Sequence, residues 1–371
     1  MKIKNKKIAL YIPDLARSSG GAEIYGLLMA EVLDKENRIT IITHEPVVQN
    51  FNIGTVYNKY GVKHFDIVYV KYLNISHLVG LQVLCQMKRI TANYDIFINC
   101  SKGKMRGMKH LFSIHLIHFP DSRYQGLFAG FLNIHYRNSY NGFICNSAYT
   151  QKYLKEYWNI EGTIVYPPIS MQCICKEELV QKEKIILAVD RLVEDKKILE
   201  MINAYKMILA KQSCEYKFVI IGNKDNKEES YYQKIIAEIN GYPIEVYHDL
   251  SKEELVQWYK RAVIFWHAKG YNEEGDPEKA EHFGMTTAEA MANGCVPIVI
   301  NKAGQKEIVN SGFDGYRWDT MQELVDFTIL LMNDDELRHT LQKNAVNSSK
   351  KYLMDCFESN LNRVLEEMVL S

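Results

Sequence analysis

Short runs of β-branched and aromatic residues alternate with longer helical patterns along this chain, and the alternation starts over near its middle. In the first half the pattern predicts strands over Lys7–Ile12, Arg38–Thr43, Ile67–Val70, Ile96–Asn99, Leu111–His118 and Gly142–Cys145. Helices are predicted over Ala22–Glu36, Ile75–Arg89 and Ala148–Trp158. The second half predicts strands over Ile185–Val189, Lys217–Ile221, Ile244–Tyr247, Val263–Trp266 and Val296–Ile300, with helices over Ile198–Lys211, Ser230–Ile239, Lys252–Arg261 and Thr286–Asn293. Alternation of this kind implies parallel sheets covered by helices on both faces. The restart follows Pro167 and Pro168, which enforce an extended link. The expectation is an α/β chain of two Rossmann-like domains, residues 1–168 and 169–350, with a C-terminal helix over 351–371 that packs back on the first domain.

Composition narrows the function classes. The 371 residues are 47% hydrophobic and 24% charged, which excludes a disordered or fibrous chain. The formal net charge of +0 argues against a nucleic-acid partner. It conceals an asymmetry: residues 1–165 hold 20 Lys+Arg against 11 Asp+Glu (+9), and residues 166–371 hold 25 against 34 (−9). The eight cysteines form no C-x-x-C pair and sit mostly in apolar runs, so buried, reduced thiols in a cytoplasmic protein are expected. The apolar run Ile8 to Pro13 is too short for a signal segment and reads as a first strand. No run approaches the ~18 apolar residues of a membrane span.

In paired α/β domains ligands bind beyond the carboxyl ends of strands, in the crevice between domains. The stretch from Glu281 to Pro297 is the most informative place to look. A helix is expected to start near Thr286 or Thr287 and to end at Gly294. Gly284 lets the backbone approach a ligand, and Met285, Thr286 and Thr287 offer N–H groups, a ready site for a diphosphate. Glu289 lies about one turn into the helix, where a carboxylate accepts hydrogen bonds from ribose hydroxyls. Glu281 precedes the helix on the same side. The alternative is that these Thr and Glu residues only cap the helix.

This string resembles the E-x7-E motif of retaining glycosyltransferase family 4, with Glu281 and Glu289 at the two Glu positions. Asp190 to Lys196 resembles the family's R-L-x-x-x-K segment, whose Arg and Lys, here Arg191 and Lys196, neutralise the donor diphosphate. Gly20 and Gly21, after the first strand, resemble the glycine-rich loop near the donor phosphate. His118 matches a histidine near the transferred sugar, although a buried, satisfied core histidine is the alternative reading. Asn146 and Ser147 resemble a segment closing a first-domain strand, although Asn146 reads equally as a helix N-cap. Lys197 departs from the pattern, standing where the family often has Gly, so a different turn is expected there.

The resemblance implies the GT-B fold, two Rossmann-like domains facing a cleft. It implies transfer of a sugar, mannose as a first guess, from a nucleoside diphosphate sugar to a glycan or lipid-linked acceptor. It further implies retention at the anomeric carbon by same-face attack. No D-x-D triplet occurs, so neither metal nor cofactor is expected. The basic run Lys102, Lys104, Arg106 and Lys109, with the apolar stretch Tyr124 to Tyr136 after it, suits a lipid-linked acceptor or an anionic membrane surface, hence peripheral contact at the inner face of a membrane. A solvated loop beside a buried helix fits that stretch equally. Other readings are a GT-B-shaped nucleotide-sugar epimerase and a catalytically silent, membrane-associated scaffold.

Overall fold

The computed structural model describes residues 3–15, 20–46, 53–60, 62–71, 79–103, 105–122, 133–169, 182–224 and 228–370. The chain divides into two compact units, Met1–Pro168 together with Met354–Ser371, and Ile169–Leu353.

The first unit is built on a parallel sheet of β1 (Lys7–Tyr11), β2 (Arg38–His44), β3 (Asp66–Val70), β4 (Ile96–Asn99), β5 (Phe112–Ile117), β6 (Gly142–Cys145) and β7 (Thr163–Ile164). Their order is β3-β2-β1-β4-β5-β6-β7. β1 lies between β2 and β4, with Ile8 opposite Ile39 on one side and Ile96 on the other. The central strands β4 and β5 are buried almost throughout because helices cover both sheet faces, and they carry Asn99, Ser113 and His115 among apolar residues. The C-terminal helix Met354–Leu370 belongs to this unit. Phe357 packs edge-on against Tyr25 at 5.8 Å, and Glu358 pairs with Lys35. Gly142 admits the Met368 side chain, whose sulfur would stand 2.4 Å from any Cβ placed there.

The second unit repeats the plan with β8 (Ile185–Val189), β9 (Lys217–Gly222), β10 (Ile244–His248), β11 (Ile264–His267), β12 (Val296–Ile300) and β13 (Tyr316–Trp318), in the order β10-β9-β8-β11-β12-β13. One face packs Phe218, Trp266 and Trp318 under the helices Ile198–Lys211 and Met321–Asn333. The buried Trp266 donates its indole N–H to Thr328 Oγ1 at 3.1 Å, so burial leaves no orphan donor there. The other face packs Phe265 and Tyr259. The helix Lys252–Arg261 is fixed by a reciprocal cap between Ser251 and Glu254. The unit's two ends meet where Ile169 N–H donates to the Tyr352 carbonyl at 2.8 Å.

The expected strands and helices form, with ends displaced by up to three residues among the described ones; the expected helix start at Ile75 lies outside them. Elements not anticipated include β7, β13 and the helices Ile53–Tyr60, Gln305–Ile308 and Met321–Asn333. β7 and β13 are two and three residues long, too short for a period to declare itself. The cysteine expectation needs correction as well, since Cys85 and Cys356 are exposed. Cys173 and Cys175 lie outside the described residues.

Candidate functional site

In an open parallel sheet the order reverses beside the first strand, and the loops diverge there to leave a crevice at the carboxyl edge. In the second unit that point lies between β8 and β11. β8 runs directly into Asp190, and β11 ends on His267. A 3₁₀ turn at Glu194–Lys196 returns Lys196 toward both. The Lys196 ammonium lies 2.6 Å from Asp190 Oδ1 and 2.8 Å from Glu281 Oε2. His267 Nε2 lies 3.6 Å from Asp190 Oδ2 and 3.5 Å from Glu281 Oε2. Gly222 makes room for the Asp190 carbonyl, which would stand 1.8 Å from any Cβ there.

Burial and charge act against each other in this cluster. Burial disfavours the Lys196 charge, but the Asp190 and Glu281 carboxylates more than offset it and hold its pKa above the ordinary lysine value. Burial likewise pushes Glu281 up, while Lys196, then Lys269 and His267, pull it well below the usual carboxylate range. Glu281 is therefore an ionised acceptor beside a protonated lysine. Two carboxylates and an imidazole also form a metal-capable set, with ligand atoms within 4.8 Å of one another. The ammonium already supplies the cation between the two carboxylates.

Arg191 stands next to Asp190 on the surface, and among the described residues its guanidinium has no ion pair or hydrogen bond. The helix starts one residue earlier than expected, at Met285. Gly284 precedes it with φ +118, a conformation that excludes side chains, and a Cβ there would meet Gln305 Nε2 at 2.5 Å. The first N–H groups of a helix lack the usual acceptor four residues back, but here Thr287 N–H donates to the Gly284 carbonyl at 3.1 Å, so Met285 and Thr286 are the N–H groups left to meet a ligand. Beside them are buried polar atoms without partners: Thr287 Oγ1 and both amide atoms of Gln305. Glu289, half-buried one turn into the helix, accepts from Tyr259 Oη at 3.1 Å. Burial raises its pKa to about 7, against opposing pulls from Tyr259 and Lys252.

Lys197 adopts φ +58, the left-handed conformation that glycine supplies without strain. Its ammonium lies 2.7 Å from Glu273, which also pairs with Lys279 at 2.8 Å.

In the first unit the candidates sit at the carboxyl ends of their strands. His118 follows β5, is buried, and donates from Nε2 to the Cys100 carbonyl at 3.1 Å. Burial, and then Lys102, lower its pKa to about 4, so it is neutral near pH 7. A carbonyl can only accept, so the proton sits on Nε2 and Nδ1 is the acceptor. Asn146 follows β6 but is not the N-cap: Ser147 is, accepting from Thr150 N–H at 3.0 Å. The start of the helix Gly21–Leu33 carries an internal anion, because Glu23 Oε2 accepts from Gly20 N–H at 2.9 Å.

The basic run does not form one face. Lys102 lies 3.7 Å from the buried Glu23 carboxylate, whereas Arg106 and Lys109 line a separate cavity. Lys104 and Tyr124 to Leu132 lie outside the described residues. Tyr136, expected in an exposed apolar stretch, is buried against His115, while Ile134 is exposed. Sequence reasoning assigned no role to Asp190, His267, Tyr259 or Gln305. Only the first two carried a usable signal, a polar residue at the end of a buried strand.

The chain is similar to known glycosyltransferases in sequence and in fold. The family model for glycosyl transferases group 1 matches residues 174–348. A GDP-Man:Man(3)GlcNAc(2)-PP-Dol alpha-1,2-mannosyltransferase of Xenopus laevis is 25% identical over 236 residues, 58% of this chain and 46% of that protein. An uncharacterised glycosyltransferase of Methanocaldococcus jannaschii is 25% identical over 227 residues, 61% of this chain and 59% of that one. The chain thus spans about half the length of the curated relatives it matches. Among solved structures, Anabaena HepE in complex with UDP and glucose aligns with TM-score 0.75 at 14% identity, covering 98% of this chain and 100% of that one. Sucrose-phosphate synthase of Thermosynechococcus elongatus aligns with TM-score 0.74 at 15% identity, covering 99% and 100%.

Proposed function

For a chain that is a glycosyltransferase of GT-B fold, its second unit matching the glycosyl transferases group 1 model, we propose retaining, metal-independent transfer of a hexose, mannose first, from a nucleoside diphosphate sugar to a lipid-linked glycan. The observation that carries this reading is the Asp190–Lys196–His267–Glu281 cluster at the switch point of the second sheet. Mannose and the lipid-linked glycan are favoured by the relatives, which are GDP-Man:Man(3)GlcNAc(2)-PP-Dol alpha-1,2-mannosyltransferases.

In this mechanism the bond between the anomeric carbon and the diphosphate oxygen breaks, and its electron pair leaves on that oxygen. An acceptor hydroxyl attacks the anomeric carbon from the same face and passes its proton to the departing oxygen. Arg191 and the first N–H groups of the helix Met285–Ala292 stabilise the growing charge. An ammonium has three N–H groups. Two of those on Lys196 meet Asp190 and Glu281, leaving one for a diphosphate oxygen. Glu281 orients sugar hydroxyls, and Glu289 takes the ribose. His118 is assigned a sugar contact on the family resemblance. No divalent ion is required, because one bound by Asp190, His267 and Glu281 would have to displace Lys196. The site of action is the face of a membrane that carries the acceptor. Among the described residues no helix is long and apolar enough to cross one.

A thermal-shift panel of nucleoside diphosphate sugars tests the reading. Ligand at a hundredfold excess over Kd adds about 2.7 kcal/mol to stability. GDP-mannose is expected to raise Tm, Lys196→Ala to abolish the rise, and added chelator to leave transfer unchanged. A panel in which no nucleotide sugar raises Tm would overturn the assignment.

A further inference from the structure

The first unit holds a second place suited to an anion. A cavity of about 530 Å³ is lined by Lys88, Arg106, Lys109 and His110 over Leu84 and Ala92. Its lining contains no carboxylate. None of the four basic side chains has an ion pair among the described residues, although Lys102 in the same loop does. Like charges converging on one cavity repel and create a positive potential there, a cost that a bound anion removes.

The cavity is built, and it stands apart from the strand ends described above. Lys109 and His110 precede β5, Ser139 precedes β6, and Lys88 and Ala92 precede β4. All three strands run parallel and start nearly level, Ile96 opposite Phe112 and Ile114 opposite Gly142. The cavity therefore lies at the amino-terminal edge of the sheet, opposite the edge that carries His118 and Asn146. The loop bearing Arg106 and Lys109 is pinned on both sides. Gly107 N–H donates to Ser139 Oγ at 2.9 Å, and Met108 N–H donates to Ser113 Oγ at 3.0 Å. Gly107 is pressed so closely on the Ser139 carbonyl that a Cβ would stand 2.2 Å from it. The backbone that carries Arg106 and Lys109 is thus fixed before any ligand arrives.

We propose that this cavity is a binding site for a phosphate or diphosphate group carried on an organic body. Ligand pockets commonly measure about 300–1,000 Å³, so this one has room for more than a bare ion. Leu84, Ala92 and the lysine and arginine stems offer apolar wall, and the charged heads take the phosphate oxygens. The proposal does not rest on the glycosyl-transfer reading.

The test uses the full chain at about 0.15 M salt, with its nucleotide site saturated by guanosine and uridine diphosphates. Inorganic pyrophosphate is titrated calorimetrically, and vesicles of phosphatidylcholine with or without phosphatidic acid are sedimented. The expected result is pyrophosphate binding that weakens at least about tenfold in Lys88→Gln/Arg106→Gln/Lys109→Gln, the loss of charge-assisted bonds, and persists in Arg191→Gln. Binding only to phosphatidic acid vesicles, lost in the triple variant, also supports the site and identifies a lipid headgroup as the source. Binding to neither probe, binding unchanged in the triple variant, or pyrophosphate binding lost in Arg191→Gln would each overturn it. The charged side chains are exposed, so folding should survive; Arg106→Gln alone repeats the test if the triple variant melts early.

Discussion

Lys196 Nζ and Glu281 Oε2 lie 2.8 Å apart although 85 residues separate them in the chain. The same ammonium meets Asp190 at 2.6 Å, so one cation holds two carboxylates in their ionised form. Removing the cation should therefore do more harm than removing either anion.

Lys196→Met is expected to cost about 3 kcal/mol of stability, because it leaves two largely buried carboxylates without their partner. Glu281→Gln should cost less, since Asp190 still pairs with the lysine. Urea unfolding of the two variants measures the order. Equal losses would mean that the pair acts independently of Asp190.

The same pair sets a pH window. The pKa of Glu281 is lowered on folding, so its contribution is present above the unfolded carboxylate value, about 4.3, and is lost as pH falls through the lower folded value. The pKa of Lys196 is raised, so its contribution is complete below the unfolded lysine value, about 10.4, and is lost as pH rises through the higher folded value. Stability from this cluster should be flat from pH 5 to 9. The Lys196→Met protein should lack both shoulders in Tm-against-pH curves.

Glu289 behaves in the opposite sense. Its folded pKa, about 7, exceeds the unfolded one, so stability from this group falls as pH rises between about 4.3 and 7. Glu289→Gln should flatten that slope and raise Tm at pH 8. If Glu289 meets the ribose as a carboxylate, donor affinity of the native chain should increase from pH 6 to 8, and that increase should vanish in the variant.

His118 should not titrate in the physiological range. With a pKa of about 4, its imidazole stays neutral from pH 5 to 8 and carries its proton on Nε2. Nitrogen-15 NMR of the ring reports both features directly. An imidazolium signal at pH 6 would contradict the burial assigned to it.

At Lys197 a positive φ and an ion pair to Glu273 compete. Lys197→Ala keeps the strain and loses the pair. Lys197→Gly loses the pair but relieves the left-handed strain, worth about 1–2 kcal/mol. The glycine variant should be the more stable of the two by about 1 kcal/mol in chemical denaturation, and a more stable alanine variant would refute the strain argument.

Much of the fold was legible because it depends on local chemistry. Runs such as Ile185–Val189 and Val296–Ile300 are apolar at every position, and only a strand buried on both faces needs that. Their alternation with helical periods announced two parallel sheets. β13 was not legible, because Arg317 interrupts a strand of three residues. In the site, the resemblance of the segments around Arg191, Lys196, Glu281 and Glu289 to family motifs suggested the chemistry. It did not show that Glu281 would share Lys196 with Asp190, that Glu289 would turn to Tyr259, or that the basic run would split between Glu23 and a cavity at the opposite edge.

The sequence by itself determined which segments become strands, where the plan repeats, and which residue types gather near strand ends, since hydrophobic period and turn chemistry act over a few residues. Only the tertiary structure decided which charges meet. Strand order brings the end of β8 beside the end of β11, and so places Asp190 and His267 around a lysine that no local pattern ties to them. Coulomb and desolvation energies depend on distance through space and on the surrounding medium, and neither is a function of separation along the chain.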